Sequence, residues 1–345
     1  MERLPSVDVC RGIAVIGMVA GDIPTVMNIS NYYEFLFVPG FFLFIAGVSY
    51  ELFVISRTER QKNSTVRNLE TFWKAIILLA ITQGIFFAGV LLFPSRFAME
   101  FNSSLFLVIS VGYLLSIVIP GKLVYHVPFI IVPFILVNYL NPVPTMFSFL
   151  FSDPFPLLPF VSYFFTGRAV MIVYEKMNDL PMKNRKIVIF SAVFVAIMAL
   201  GFWLSEIPIT GAARTEFPGF LLLAGLMTCI LSVLSFCHAR IKGFDFFLSP
   251  FERTGRIAFS AYYAFYALEL LLFPYLNRIF IKNLDPDAQM TVYCLSIISI
   301  LFLTAGIEKI WRKSGYLFGL EWALRSGSAF FTKFFVRVSD LKTRT

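Results

Sequence analysis

Apolar runs of about twenty residues, separated by short polar or proline-containing breaks, recur along almost the whole chain. A helix that crosses the hydrocarbon of a bilayer needs about 20 such residues. Ten stretches have that character: roughly 7–27, 34–55, 73–93, 102–119, 123–140, 155–176, 186–204, 218–237, 257–276 and 289–308. The pattern predicts an all-α fold, a polytopic integral membrane bundle of about ten transmembrane helices. Pro94, Pro120, Pro154 and Pro181 fall between the stretches, where a helix can stop without losing an internal hydrogen bond.

Ten spans put both termini on one side. With the N-terminus in the cytoplasm, 24 of the 29 Lys and Arg residues fall on the inner side. Only Arg96, Arg214, Arg278 and Lys282 fall outside, and Arg168 lies within a span. That bias follows the positive-inside rule and predicts a cytoplasmic N-terminus and C-terminus. After Leu324 the pattern changes. Phe330, Phe331, Phe334 and Phe335 recur at helical spacing with Lys333 and Arg337 among them, which suits an amphipathic helix on the inner membrane surface. A disordered basic tail is the alternative. The chain is thus read as a membrane domain, 1–324, and a basic aromatic tail, 325–345.

Composition sharpens this picture. The chain is 58% hydrophobic and 14% charged, with 42 Phe, against about 25% charged residues in a soluble domain. No polar segment is long enough for an aqueous domain, so chemistry belongs within the bundle or at its mouths. The net charge of +8 is accounted for by basic inner loops, and nucleic acid is not an expected partner. Membrane lipid is, and the expected location is multi-pass in the cell or plasma membrane. Cys10, Cys229, Cys237 and Cys294 lie in apolar stretches without metal-ligand spacing and read as small buried hydrophobes; no metal site is expected. The start does not read as a cleavable signal peptide, because Asp8 and Arg11 interrupt its apolar run.

Those charges are the first candidates for chemistry. Each costs about 2.5–3.5 kcal/mol at the centre of a spanning helix. Asp8 and Arg11 are three residues apart, so a helix brings them together on one face. Asp22 lies eleven residues further, about 16 Å along the axis. One helix therefore shows a charge pair near one membrane face and a carboxylate near the other. Arg168 is expected to snorkel towards the inner face, with its head near phosphates. Glu269, in the middle of the ninth stretch, needs a partner or a proton, and Arg168 is one candidate partner.

Several motifs now fall in order. Arg3, Ser6, Asp8, Arg11, Gly12 and Ala14 form Arg-x-x-Ser-x-Asp-x-x-Arg-Gly-x-Ala. Residues 38–49 read Val-Pro-Gly-Phe-Phe-Leu-Phe-Ile-Ala-Gly-Val-Ser, and 155–160 read Phe-Pro-Leu-Leu-Pro-Phe, followed by Phe165-Thr166-Gly167. Gly255-Arg256-Ile257-Ala258-Phe259-Ser260-Ala261-Tyr262 and Gly319-Leu320-Glu321-Trp322-Ala323-Leu324-Arg325 complete the set. Together they resemble the transmembrane acyltransferase superfamily. The likeness is nearest to heparan-α-glucosaminide N-acetyltransferase-like proteins and extends to acyltransferase-3 and periplasmic-glucan succinyltransferase proteins.

The resemblance implies passage of an acyl group from cytoplasmic acyl-CoA to a sugar or glycolipid acceptor outside, with acyl-CoA as co-substrate and no covalently bound cofactor. On that reading Asp8, Arg11, Arg168, Arg256, Glu321 and Arg325 bind the donor, since guanidinium groups suit phosphate. A pair that only fixes the first helix is the alternative for Asp8–Arg11. The catalytic step departs from the family pattern. Asp22 stands where relatives carry His, Thr25–Tyr33 contains none, and Phe265 occupies a further His position. Acyl transfer needs a general base. Asp22 is the catalytic candidate if burial raises its pKa; a solvated helix-end carboxylate is the alternative. Glu34, Asp153, Glu206 and Glu216 are weaker candidates on the same side. His126 and His238 are expected at helix ends or facing headgroups, on the inner side. A non-catalytic carrier, exporter or partner subunit on the same fold is the second functional reading, and an oligomer is open.

Overall fold

The structure, a computed structural model, describes residues 4–27, 38–60, 64–92, 105–140, 156–178, 217–241, 243–271, 284–317 and 319–342, with scattered positions in 189–203. Among the described residues it is all-helical. The helices are α1 (Pro5–Met27), α2 (Val38–Arg60), α3 (Ser64–Leu92), α4 (Leu105–Val118), α5 (Leu123–Leu140), α6 (Leu157–Asn178), α7 (Phe217–Arg240), α8 (Phe244–Arg256), α9 (Ala258–Leu271), α10 (Pro286–Trp311) and α11 (Leu320–Lys342). Among the described residues, four stretches are long and apolar enough to cross a membrane: Val38–Ser56, Leu157–Lys176, Phe217–His238 and Asp287–Ser314. Leu105–Val118 and Leu123–Val137 are shorter apolar helices. The expected span at 186–204, and Pro94, Pro154 and Pro181, lie wholly or partly outside the described residues.

α3 begins at Ser64, well ahead of the expected start at 73, and two further helices depart from the pattern reading. α8 occupies residues expected to be an inner loop; Asp245, Glu252, Arg253 and Arg256 kept its 13 residues from reading as a span. The tail helix starts at Leu320, inside the last motif and ahead of the expected boundary at 325. It forms a helix, as expected, and part of its aromatic face has a protein partner. Phe331 and Phe335 stack on Trp73 of α3, with ring centroids 4.6 and 5.2 Å away.

The chain forms two compact units. One gathers Leu43–Thr228 with Trp322–Thr345. Its inner helix is α6, whose Phe160, Tyr163, Phe164 and Phe165 are buried and which packs on α4 and α5. A Cβ on Gly47 would lie 1.9 Å from the Phe164 carbonyl oxygen, and one on Gly167 would lie 1.9 Å from that of Phe44. α2 and α6 therefore cross backbone to backbone, a contact that only glycine permits. α5 carries Pro128 and Pro133 in its interior. Pro133 has no N–H, which leaves the Phe129 carbonyl without its usual helical donor. The Ser162 hydroxyl of α6 donates to that carbonyl at 3.3 Å.

The other unit gathers Glu2–Phe42 with Cys229–Glu321. Here α1 is the inner helix, packed on α8, α9 and α10. The α1–α8 crossing is again made by two glycines. A Cβ on Gly12 would meet the Phe251 carbonyl oxygen at 1.9 Å, and one on Gly255 would meet that of Asp8 at 1.7 Å. Tyr293 of α10 donates to the Ala20 carbonyl at 2.9 Å, and Ser235 of α7 donates to the Ser6 hydroxyl at 3.0 Å.

Candidate functional site

In the second unit, three motif segments far apart in sequence meet. Asp8 and Arg11 form the expected ion pair, Nη1 to Oδ1 at 2.8 Å; the Asp8 side chain is 3% exposed and that of Arg11 29%. Asp8 is thus the buried member and Arg11 the accessible one. The backbone of Asp8 rests against Gly255, which places the end of α8 beside the pair. Arg256, next in the chain, hydrogen-bonds Glu252 one turn earlier and reaches Glu308 of α10 at 3.4 Å. Partial burial draws its pKa down, but Glu252 and then Glu308 more than offset this and hold it above the usual arginine value. Glu308 is fully buried and also accepts the Tyr316 hydroxyl at 2.7 Å. Tyr316 sits in the left-handed region at φ 61°, uncommon for a residue with a Cβ.

Glu321 closes the same unit from the last motif. Its Oε1 accepts the backbone N–H groups of Phe259 and Ser260, at 2.7 and 3.1 Å, and its Oε2 accepts the Ser260 hydroxyl. The donors at the start of α9, which have no partner within the helix, are thereby satisfied. Ser260 Oγ in turn accepts the Leu320 N–H at 2.9 Å. Glu321 is therefore a helix cap from a distant segment, and Arg256 is shared between two carboxylates. Both hold the frame, and the Arg11 side chain is the somewhat more exposed of the two guanidinium groups, 29% against 21% for Arg256.

Arg168 is built into the first unit and does not snorkel. Its side chain is 2% exposed, and its Nε donates to Glu51 Oε2 at 2.8 Å. Nη1 donates to Ser116 Oγ at 2.9 Å, and the Tyr50 ring lies 4.9 Å from Cζ. Its ion-pair partner is Glu51; the Glu269 side chain, the candidate partner from sequence, lies outside the described ones. Snorkelling fails because a buried carboxylate on α2 supplies locally the neutralisation that headgroups would otherwise give. Arg325 lies on an exposed position of α11.

His126 is the fourth residue of α5, at a helix end as expected, but it is fully buried and does not face headgroups. Its Nδ1 donates to the Lys122 carbonyl at 2.9 Å, and its ring lies edge-on to Phe165. His238, in the last turn of α7, pairs with Asp245 at 2.6 Å. Of the four cysteines only Cys10 is buried; Cys229 and Cys237 are partly exposed and Cys294 is exposed, so the buried reading holds for one. No group of three or more metal-ligating side chains occurs among the described residues.

Asp22 lies in the last two turns of α1, with its side chain outside the described ones. Glu34, Asp153, Glu206 and Glu216 lie outside the described residues. Glu51, Ser116, Glu252 and Glu308 were not singled out from sequence, and Ser260 entered only as a position of its motif. Of the first four, Glu51 and Glu308 carried a usable signal, a carboxylate close to the end of an apolar run. No protein-family model matches the chain, and no curated protein matches it.

Proposed function

We propose that the chain is an integral membrane acyltransferase that passes an acyl group from cytoplasmic acyl-CoA to an extracytoplasmic sugar or glycolipid. The observation that carries this reading is the meeting of three distant motif segments in one unit, that of Asp8, Arg11 and Gly12, that of Gly255, Arg256 and Ser260, and that of Glu321. In this scheme Asp8 orients Arg11, and Arg11 binds donor phosphate. Arg256 and Glu321 position the helices around them. Asp22, about 16 Å further along the same helix, takes the proton of the acceptor. Ten spans with cytoplasmic termini place the donor end of α1 inside and Asp22 outside.

The test is acyl-CoA binding to the detergent-solubilised protein, by calorimetry, beside Arg11→Ala. Saturable binding that drops at least about tenfold in the variant is expected, as for a lost charge-assisted contact. Asp22→Asn should keep donor binding and lose transfer. Absence of binding across several acyl chain lengths would move the chain to the second reading, a carrier, exporter or non-catalytic partner subunit. One observation favours that alternative: His126 is buried in α5, and His238 is engaged with Asp245, so neither is set out as an acceptor-side base.

A further inference from the structure

The apolar stretch Phe217–His238 of α7 has membrane-spanning length, so the residues that follow it emerge at a membrane face. There the chain turns. Gly243 is left-handed at φ 85°, with open space where a Cβ would stand. Asp245, in the first turn of α8, pairs with His238 at 2.6 Å and ties the start of α8 to the end of α7. α8 itself has 13 residues, about 20 Å of helix, too short and too polar to cross.

Its two halves differ. The C-terminal half is packed: Thr254 and Gly255 are buried, Phe251 and Gly255 lie on α1, and Thr254 bonds Thr304 of α10 at 2.8 Å. The N-terminal half presents Phe246 and Phe247, 81% and 73% exposed, edge to face with centroids 5.8 Å apart. Ile241 beside them is half exposed, and Arg240 is exposed. The carboxylates of this corner are engaged, Asp245 with His238 and Glu252 with Arg256, while Arg240 and Arg253 leave it basic. Two adjacent exposed Phe at the mouth of a span, flanked by basic residues, match the chemistry of the headgroup–acyl boundary of an anionic leaflet.

We infer that α8 is an in-plane interfacial helix, with Phe246 and Phe247 seated at that boundary and Arg240 on anionic headgroups. Its far end carries Gly255 against α1, so the lipid surface helps to set the position of the Asp8–Arg11 pair. The inference needs α7 to span a membrane and does not need the acyltransferase reading.

The experiment uses the full chain in nanodiscs, with a trifluoromethyl-phenylalanine at position 247 read by fluorine NMR. Relaxation is compared between a nitroxide on the lipid acyl chain near the headgroup and a nickel chelate in water. Stronger relaxation by the lipid nitroxide is expected. Stronger relaxation by nickel places Phe247 in water and overturns the inference; weak relaxation by both places it under protein and overturns it too. In a second arm the lipid nitroxide is carried on phosphatidylglycerol or on phosphatidylcholine. Arg240→Gln should reduce the preference for phosphatidylglycerol about fivefold, the effect of about one basic residue at an anionic surface. An unchanged preference overturns the headgroup contact.

Discussion

Arg168 and Glu321 show how a charged side chain in an apolar bundle is used for architecture. The Arg168–Glu51 pair is buried on both sides, so removing one member strands the other without solvent. Glu51→Gln is expected to lower stability by about 3–5 kcal/mol, whereas Glu51→Gln with Arg168→Met should recover most of it. Thermal unfolding of the two variants in the same detergent checks the sign of the difference. Glu321→Gln loses a charged cap that serves two backbone N–H groups and one hydroxyl. About 1–3 kcal/mol of stability should go with it, and Ser260→Ala in the Gln background should cost little more if the carboxylate is the organising group. An equal further loss would show that Ser260 acts alone.

At the scale of the helix, the motif glycines are crossing points. Gly47 and Gly167 join α2 to α6, and Gly12 and Gly255 join α1 to α8, each with a carbonyl oxygen where a Cβ would be. Gly47→Leu should cost more than about 3 kcal/mol, because backbone has to move to admit it, and should be seen as loss of monodisperse protein. Gly84→Ala in α3, where nothing lies within 4 Å of a Cβ, should be neutral or stabilising by up to about 1 kcal/mol. Ser162→Ala removes the donor to the Phe129 carbonyl left open by Pro133, and about 1 kcal/mol should be lost. The same substitution in a Pro133→Ala background should cost less, since the helix then supplies its own donor.

For the whole molecule, hydrophobic periodicity anticipated nearly every described helix. α1, α4, α5, α6, α7 and α10 lie within a few residues of the expected stretches. The reason is that a long, nearly unbroken apolar run favours the helix, the one local structure that satisfies its own backbone hydrogen bonds within the segment. α8 escaped because an interfacial helix needs only one apolar face and is too short for that signal. The candidate site was half legible. Asp8–Arg11 could be paired from its i, i+3 spacing, while Glu51 with Arg168 and Glu321 with Ser260 are separated by 117 and 61 residues. The expectation of cytoplasmic termini is checked by a protease-accessible tag after Thr345 in inside-out and right-side-out vesicles. Cleavage confined to inside-out vesicles is the expected outcome.

Local rules therefore carried the composition, the helical class, the apolar lengths and the one short-range ion pair, since each depends on residues within a turn or two of one another. Tertiary structure alone decided which carboxylate neutralises Arg168, that Arg256 is shared between Glu252 and Glu308, and that Glu321 caps a helix from a distant segment. It also showed why the motif glycines stand where they do. Those outcomes depend on which backbones cross, and a crossing is a property of two surfaces that no window along one chain contains.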